Sequence, residues 1–160
     1  MPARGSFHYS TLDEAHALAE FLGKACPDPQ RATQGLLELF VNAVEHGNLG
    51  ITYAEKGELV MRGEWQQEVD RRLRQAEYVG RRVEVDCERH ATHLRITIRD
   101  QGQGFDWSGY LDFDPERAFH LHGRGIAMAR RMCFEHLEYQ GSGNVVVVEV
   151  ASPAGSMQPA

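Results

Sequence analysis

The sequence has 160 residues, of which 25% are charged and 42% hydrophobic, and its formal net charge is −6 at pH 7. This composition is typical of one globular domain and unlike that of disordered or membrane-embedded chains. The acidic balance argues against a nucleic-acid partner, because proteins that bind the phosphate backbone usually carry a basic surface.

The ends and the cysteines of the chain indicate a cellular compartment. The N-terminus has no basic-then-apolar signal pattern, and no apolar run approaches the roughly 20 residues needed to span a bilayer. Three widely spaced cysteines, Cys26, Cys87 and Cys133, do not form a disulfide framework or a zinc motif. We therefore expect a cytoplasmic protein without a membrane partner.

The first elements in chain order are a short strand at residues 5–9 and a helix that ends near Lys24. Ser10 and Thr11, followed by Asp13 and Glu14, have the pattern of an N-cap and capping box at the start of this helix. Residues 26–29, which include two prolines, stop it before a second helix begins.

The second helix is the most informative stretch, and we predict that it ends at residues 47–48. Its apolar side chains cover most of its circumference, so we expect protein on nearly all sides. One polar stripe interrupts them, because Glu38, Asn42 and Glu45 with His46 follow at i, i+4 and i+7/i+8. The polar groups of this stripe need partners, which a structural polar network, bound water, or a metal with its ligand would each supply.

Residues 51–80 are charged and proline-free, and they predict an amphipathic helix that Gly57 and Gly63 can divide. Its inner stripe consists of Met61, Trp65, Val69, Leu73 and Ala76. The stripe suits either packing on its own domain or a homodimer or partner surface. We predict a single domain at residues 1–152 with a helical insertion at about 51–80, and a tail at residues 153–160.

The apolar period then changes from helical to alternating. Residues 83–88 and 94–99 alternate apolar and polar side chains, which predicts an antiparallel hairpin with one wet face. The same alternation aims Asp100 at the interior. Gly102 and Gly104 follow it, and glycines there allow a tight turn and a close approach to the backbone.

The remaining elements are a loop to about residue 122, a helix opened by residues 123–125, and a closing hairpin. The inward positions of that helix are Ile126, Ala129, Met132 and Cys133. The hairpin joins residues 137–139 to residues 145–150 through a turn at residues 141–144.

Each glycine motif alone is more typical of a turn, but the order of the motifs is specific. Residues 38–46 read E-x-x-x-N-A-x-x-H, residues 100–105 read D-x-G-x-G-F, and residues 123–125 read G-x-G. This series resembles the nucleotide site of the GHKL (histidine-kinase-like) ATPases, and within them the bacterial anti-sigma-factor serine/threonine kinases. The resemblance implies an α+β two-layer sandwich, the Bergerat-type ATP-binding fold, in which a mixed, mostly antiparallel sheet carries helices on one face.

The resemblance also implies ATP and Mg²⁺ as ligands. Asp100 would accept a hydrogen bond from the exocyclic amine of adenine, beside Gly102 and Gly104, which admit a flat purine. Asn42 would ligate Mg²⁺ through its amide oxygen. Glu38, one turn earlier, would act as the general base.

The phosphates are assigned to the third motif. Gly123 and Gly125 would leave backbone N–H groups bare at the start of a helix, and Arg124 would contact a phosphate. Weaker candidates for the same role are His46, Arg117 and His122.

The implied activity is that of an ATP- and Mg²⁺-dependent protein serine/threonine kinase. It would phosphorylate an anti-sigma-factor antagonist, bind a sigma factor or similar partner, and regulate transcription by partner switching. Two alternatives remain at this stage: a non-catalytic ATP-binding module that switches partners, and the catalytic domain of a histidine kinase. The insertion at residues 51–80 is longer than the minimal anti-sigma-factor kinase needs, and this longer form is similar to modules attached to bacterial receiver-and-phosphatase regulators.

Overall fold

The computed structural model of the protein describes residues 3–105, 107, 110–111 and 125–151. Two predicted phosphate-binding residues, Gly123 and Arg124, lie outside the described residues, as do Arg117, His122 and the tail at residues 153–160. Within the described ranges, no helix is long and apolar enough to cross a membrane.

Five strands form one sheet in the order β1-β2-β3-β5-β4. They are β1 (Arg4–Tyr9), β2 (Val83–Arg89), β3 (His93–Arg99), β4 (His136–Gln140) and β5 (Val145–Ala151). All four strand pairings are antiparallel. The sheet predicted as mixed and mostly antiparallel therefore has no parallel pair in the part of the chain that the structure describes.

The strand register places apolar side chains in rows across the inner face of the sheet. One such row runs from Phe7 through Val85, Ile98 and Val146 to Tyr139. Because side chains alternate between the two faces of a strand, the neighbouring positions point to solvent and are mainly polar. The predicted hairpin with one wet face is thus confirmed.

In the described ranges, the helices pack against the inner face of the sheet, which confirms the predicted α+β two-layer architecture. They are α1 (Leu12–Gly23), α2 (Pro29–Asn42), α3 (Tyr53–Met61), α4 (Trp65–Leu73) and α5 (Gly125–Met128). Both α2 and α5 continue into wider π-helical turns, at Ala43–Asn48 and Ala129–Cys133. Thr11 and Glu14 form the predicted capping box of α1.

The second helix, α2, lies at the centre of the core, as its apolar composition predicted. Leu36, Phe40 and Val44 have no exposed surface. The hydroxyl group of Tyr9 on β1 donates a hydrogen bond of 2.6 Å to the backbone oxygen of Phe40, so the edge of the sheet is tied to the middle of the helix.

The insertion forms two helices rather than one. Gly63 has a φ of +69°, a left-handed conformation that ends the first helix and turns the chain. The predicted inner stripe is therefore wrong at Met61, which is 85% exposed, and at Ala76, which is exposed beyond the end of α4. Val69 is fully buried, as expected.

A similar register change affects the helix after the third motif. Ile126, Ala129 and Cys133 are buried as predicted, but Met132 is 56% exposed. A π-helical turn holds more residues than an α-helical turn, so the apolar spacing of an α-helix does not carry through residues 129–133.

We expect Val69→Ala to lower the free energy of unfolding by about 2 kcal/mol, because it removes two buried methyl groups and leaves a cavity. Met61→Ala should change it by less than about 0.5 kcal/mol, because that side chain is solvated. Urea titrations of both variants would measure the difference. Equal losses of unfolding free energy would mean that Met61 is buried like Val69, which would contradict the division of the insertion at Gly63.

Candidate functional site

The C-terminal end of α2 meets the end of β3 at a pair of close contacts. A Cβ atom at Gly47 would collide with the carboxyl group of Asp100, and one at Gly102 would collide with the backbone oxygen of Gly47. Glycine at both positions therefore lets the first and second motifs touch. The sequence pattern identified Gly47 only as a helix stop.

The carboxyl group of Asp100 is half-buried on the inner side of the sheet, as the strand alternation predicted. Its Oδ1 atom accepts a hydrogen bond of 2.8 Å from the backbone N–H of Gly102. Burial raises the pKa of Asp100 to about 6, while the Gly102 hydrogen bond and the charge of Arg81 act in the opposite direction. Asp100 is therefore mostly ionised at pH 7 but protonates in mild acid.

Asn48, at the end of the π-helical turn, fixes the loop that follows Asp100. Its side chain is buried, and Oδ1 accepts a hydrogen bond of 2.6 Å from the backbone N–H of Gln101. Arg81, just before β2, donates a hydrogen bond of 2.7 Å to the backbone oxygen of Asn48. Sequence reasoning missed these two residues, whose partners are distant in the chain.

A cavity opens between α2, the start of α3 and the ends of the strands. Asn42, Asp100 and Gly104 line it, and these are three of the predicted binding residues. Its other walls are Leu39, Ala43, His46, Gly47, Tyr53, Ile98, Phe105, Tyr139, Gly143, Asn144 and Val146. Gly102 does not line the cavity but supports Asp100 from behind.

Aromatic rings close one side of this cavity. Tyr53 of α3 stacks on His46, with ring centroids 3.8 Å apart, and on Tyr110, with centroids 4.7 Å apart. Phe105 meets Tyr139 edge to face at 5.3 Å. The rings leave ≈ 20 Å³ for the centre of a water molecule, which is room for about one water. A purine can enter only when these rings separate.

A second, wider cleft lies on the other side of the same rings. It holds ≈ 540 Å³ by the same measure and shares His46, Tyr53 and Phe105 with the inner cavity, whereas Tyr110 lines only the outer cleft. The insertion therefore contributes a wall to both spaces through Tyr53. Sequence reasoning had assigned no site residue to the insertion.

Glu38 connects the first motif to the third. A Cβ atom at Gly125 would collide with the Oε2 atom of Glu38, so the carboxyl group packs directly against the first residue of α5. Burial raises the pKa of Glu38, and the charge of Lys56 lowers it. A carboxylate with a raised pKa is a stronger base than one in water.

The polar stripe of α2 divides into two parts. Asn42 lines the cavity and Glu38 packs against Gly125 without lining it, whereas Glu45 is 2% exposed and accepts a hydrogen bond of 2.7 Å from the ammonium group of Lys56. Burial raises the pKa of Glu45, and the Lys56 hydrogen bond opposes this effect. His46 hydrogen-bonds through Nδ1 to the backbone oxygen of Ile51.

These groups match the chemistry of a magnesium nucleotide. In the wall of the cavity, Asp100 offers a carboxylate to an amine donor, and Asn42 offers an amide oxygen, a hard donor that suits Mg²⁺. Glu38 lies one turn further along α2, beside Gly125. The candidate metal ligand and the candidate general base thus follow each other on α2, and the candidate adenine-binding carboxylate contacts the end of the same helix.

Comparison with known proteins gives the same assignment. No curated protein matches the chain. The model of the histidine kinase-like ATPase domain matches residues 10–150, which include all three motifs. The chain therefore belongs to the histidine kinase-like ATPase domain family, and its site is that of an ATP-binding domain.

Proposed function

We propose that the protein is an ATP- and Mg²⁺-dependent protein serine/threonine kinase of the anti-sigma-factor type. The observation that carries this proposal is the carboxyl group of Glu38, which has a raised pKa and packs against Gly125 one helical turn from Asn42. A module that only binds ATP does not require a base at this position. The order of the motifs, which resembles that of the anti-sigma-factor kinases, supports a protein as the substrate.

At the closed end of the cavity, ionised Asp100 would accept a hydrogen bond from the exocyclic amine of adenine. The Gly102 N–H holds one carboxylate oxygen in place, so the other remains for the base. The aromatic walls formed by Tyr53, Phe105 and Tyr139 would cover the faces and edges of the purine.

At the open end, Asn42 would hold the metal through Oδ1. Bound Mg²⁺ supplies charge neutralisation for the phosphates during phosphoryl transfer. Glu38 would accept the proton of a serine or threonine hydroxyl group as that group attacks the terminal phosphate. Its raised pKa brings its basicity closer to the working pH than that of a carboxyl group in water.

The proposed substrate is an anti-sigma-factor antagonist, and a sigma factor or similar protein is the proposed second partner. In such a system phosphorylation of the antagonist decides which partner the kinase holds, and transcription responds to the exchange. We place this activity in the cytoplasm. The surface of the insertion is the proposed site of homodimer or partner contacts that the minimal kinases lack.

We expect Asp100→Ala to weaken ATP binding about tenfold or more, a loss of at least ~1.4 kcal/mol, because it removes the acceptor for the adenine amine. Isothermal titration calorimetry with Mg-ATP would measure the change. Asp70→Ala, on the exposed face of α4, is the matched control and should bind like the unaltered protein. Equal affinities for the two variants would contradict the adenine assignment.

The contribution of Asp100 should depend on pH. Its pKa is raised to about 6 in the folded protein, so the carboxylate that adenine requires forms as pH rises through 6. The ratio of the ATP dissociation constants of Asp100→Asn and the unaltered protein should therefore grow between pH 5 and pH 7.5. Using this ratio cancels the ionisation of ATP itself, because both proteins bind the same nucleotide.

The raised pKa of Asp100 also determines how the free energy of unfolding changes with pH. Protonated Asp100 contributes stability that is fully present below about pH 4 and is lost as pH rises through 6. Denaturant titrations should show this loss in the unaltered protein relative to Asp100→Asn. The raised pKa of Asp100 would be contradicted if neither the ratio of dissociation constants nor the difference in free energy of unfolding changed with pH.

Glu38→Gln should keep ATP affinity within about threefold and abolish phosphoryl transfer, because the amide keeps the shape but cannot accept the proton. Labelled ATP and a partner isolated by pull-down would measure transfer, followed by mapping of the phosphorylated residue. Glu20→Gln on the exposed face of α1 is the control. Binding without transfer by the unaltered protein would favour the non-catalytic module, and acid-labile phosphate would favour a histidine kinase.

A further inference from the structure

Helix α3 of the insertion brings a cation to the polar stripe of α2. The ammonium group of Lys56 lies 2.7 Å from Oε2 of Glu45 and 4.7 Å from the centroid of the Trp65 ring. The Lys56 side chain is only 17% exposed. The side chain therefore does not extend into solvent, and its ammonium group is held in a fixed position beside Glu45.

The position of Lys56 follows from how α3 is anchored. Thr52 caps the helix by accepting a hydrogen bond of 3.1 Å from the backbone N–H of Glu55. Arg72 of α4 donates hydrogen bonds of 2.9 Å to both Glu55 and the backbone oxygen of Leu49. These contacts join α3 and α4 to each other and to Leu49, just after the π-helical turn. They therefore fix the position of α3, and with it the position of Lys56.

Lys56 acts on two carboxyl groups that lie on either side of Asn42. It hydrogen-bonds Glu45, three residues after Asn42, and its charge also reaches Glu38, four residues before Asn42. Asn42, the proposed metal ligand, therefore lies between the two carboxyl groups on which the ammonium group acts. That stretch of the helix is where the phosphates of a nucleotide held by Asn42 and Asp100 would lie.

The ammonium group also has donor capacity for a phosphate. It carries three N–H donors, of which Glu45 accepts one, while the aromatic face of Trp65 covers another side of the group. A hydrogen bond from an ammonium group to a phosphate oxygen is charge-assisted and among the stronger polar contacts in proteins. It would also offset the repulsion between the phosphates and the carboxylates of Glu38 and Glu45.

We propose that Lys56 is a phosphate-binding residue, which the insertion supplies to the nucleotide site. This inference rests on ATP binding at the site, as in the proposed function, but not on phosphoryl transfer. It gives the insertion a role inside the nucleotide site in addition to any contact with a partner protein.

The first test separates phosphate binding from a structural role. Lys56→Met alone would leave Glu45 buried without its cation, so the lysine is replaced in a Glu45→Gln background, where no charge is left unpaired. In that background, Lys56→Met should weaken Mg-ATP binding about tenfold or more and change adenosine binding less than twofold. Calorimetry with the two ligands measures both effects, and thermal unfolding confirms that the variants are folded.

The chain offers a matched control, because Lys24 and Lys56 are its two lysines. Lys24 is exposed at the end of α1, and Lys24→Met should bind both ligands like the unaltered protein. Unchanged Mg-ATP binding after loss of Lys56 would overturn the proposal. An equal loss for ATP and adenosine would also overturn it, because a phosphate contact cannot affect a ligand without phosphates.

A second test uses proximity and needs no substitution. In an ATP derivative with an acyl group on its terminal phosphate, a nearby lysine amine attacks the acyl carbonyl, forms an amide and releases ATP. Peptide mass spectrometry should find the label on Lys56, suppressed by excess ATP, and not on Lys24.

The outcomes distinguish this proposal from the proposed function. ATP binding with no label on Lys56 would overturn the role of Lys56 and leave the kinase proposal standing. Labelled Lys56 without phosphoryl transfer to any partner would support the role of Lys56 and count against the kinase. If the unaltered protein does not bind ATP, both proposals fail.

Discussion

The charges along one face of a buried helix are the constraint on which this site depends. Glu38 lies on α2 and Glu45 in the π-helical turn that continues it. An unpaired carboxylate in this buried helix costs roughly several kcal/mol. Lys56 compensates Glu45 directly. The insertion therefore supplies the positive charge that the buried helix requires. This ion pair attaches the insertion to the helix in addition to apolar packing.

The second constraint is the close approach of backbones that glycine permits. Gly47 lets α2 touch Asp100, and Gly125 lets α5 touch Glu38. The first two motifs and Gly125, the described residue of the third, therefore meet at this helix although they are far apart in the sequence. Asp100, the candidate acceptor for adenine, contacts the C-terminal end of the helix at Gly47. Glu38, the candidate general base for proton transfer, lies on an earlier turn. In the proposed function, this geometry would place adenine, metal and phosphates in order along the helix.

Local patterns predicted most of the helices and strands and the positions of several candidate site residues in them. The alternation in β2 and β3 placed Asp100 on the inner side, the spacing of Thr11 and Glu14 marked the start of α1, and the i, i+4 spacing linked Glu38 to Asn42. Each of these signals is contained in a few consecutive residues, and periodicity reports such local relations directly.

The rest of the site depends on contacts between distant parts of the chain, which periodicity does not report. Nothing near Lys56 in the sequence indicates that its ammonium meets Glu45, and nothing near Tyr53 indicates that its ring stacks on His46. The exposed Met132 has a different cause, since a π-helical turn breaks the spacing on which the prediction relied. The two predicted phosphate-binding residues outside the described part of the chain stay predictions.

The most direct measurement of the central claim is a crystal structure of the protein with Mg²⁺ and a non-hydrolysable ATP analogue. We expect the exocyclic amine of adenine to donate to the carboxylate of Asp100, Oδ1 of Asn42 to be a ligand of the metal, and the rings of Tyr53 and Tyr110 to have moved apart to admit the adenine. A nucleotide bound in the outer cleft, with the inner cavity still closed and Asp100 without a ligand contact, would contradict this expectation.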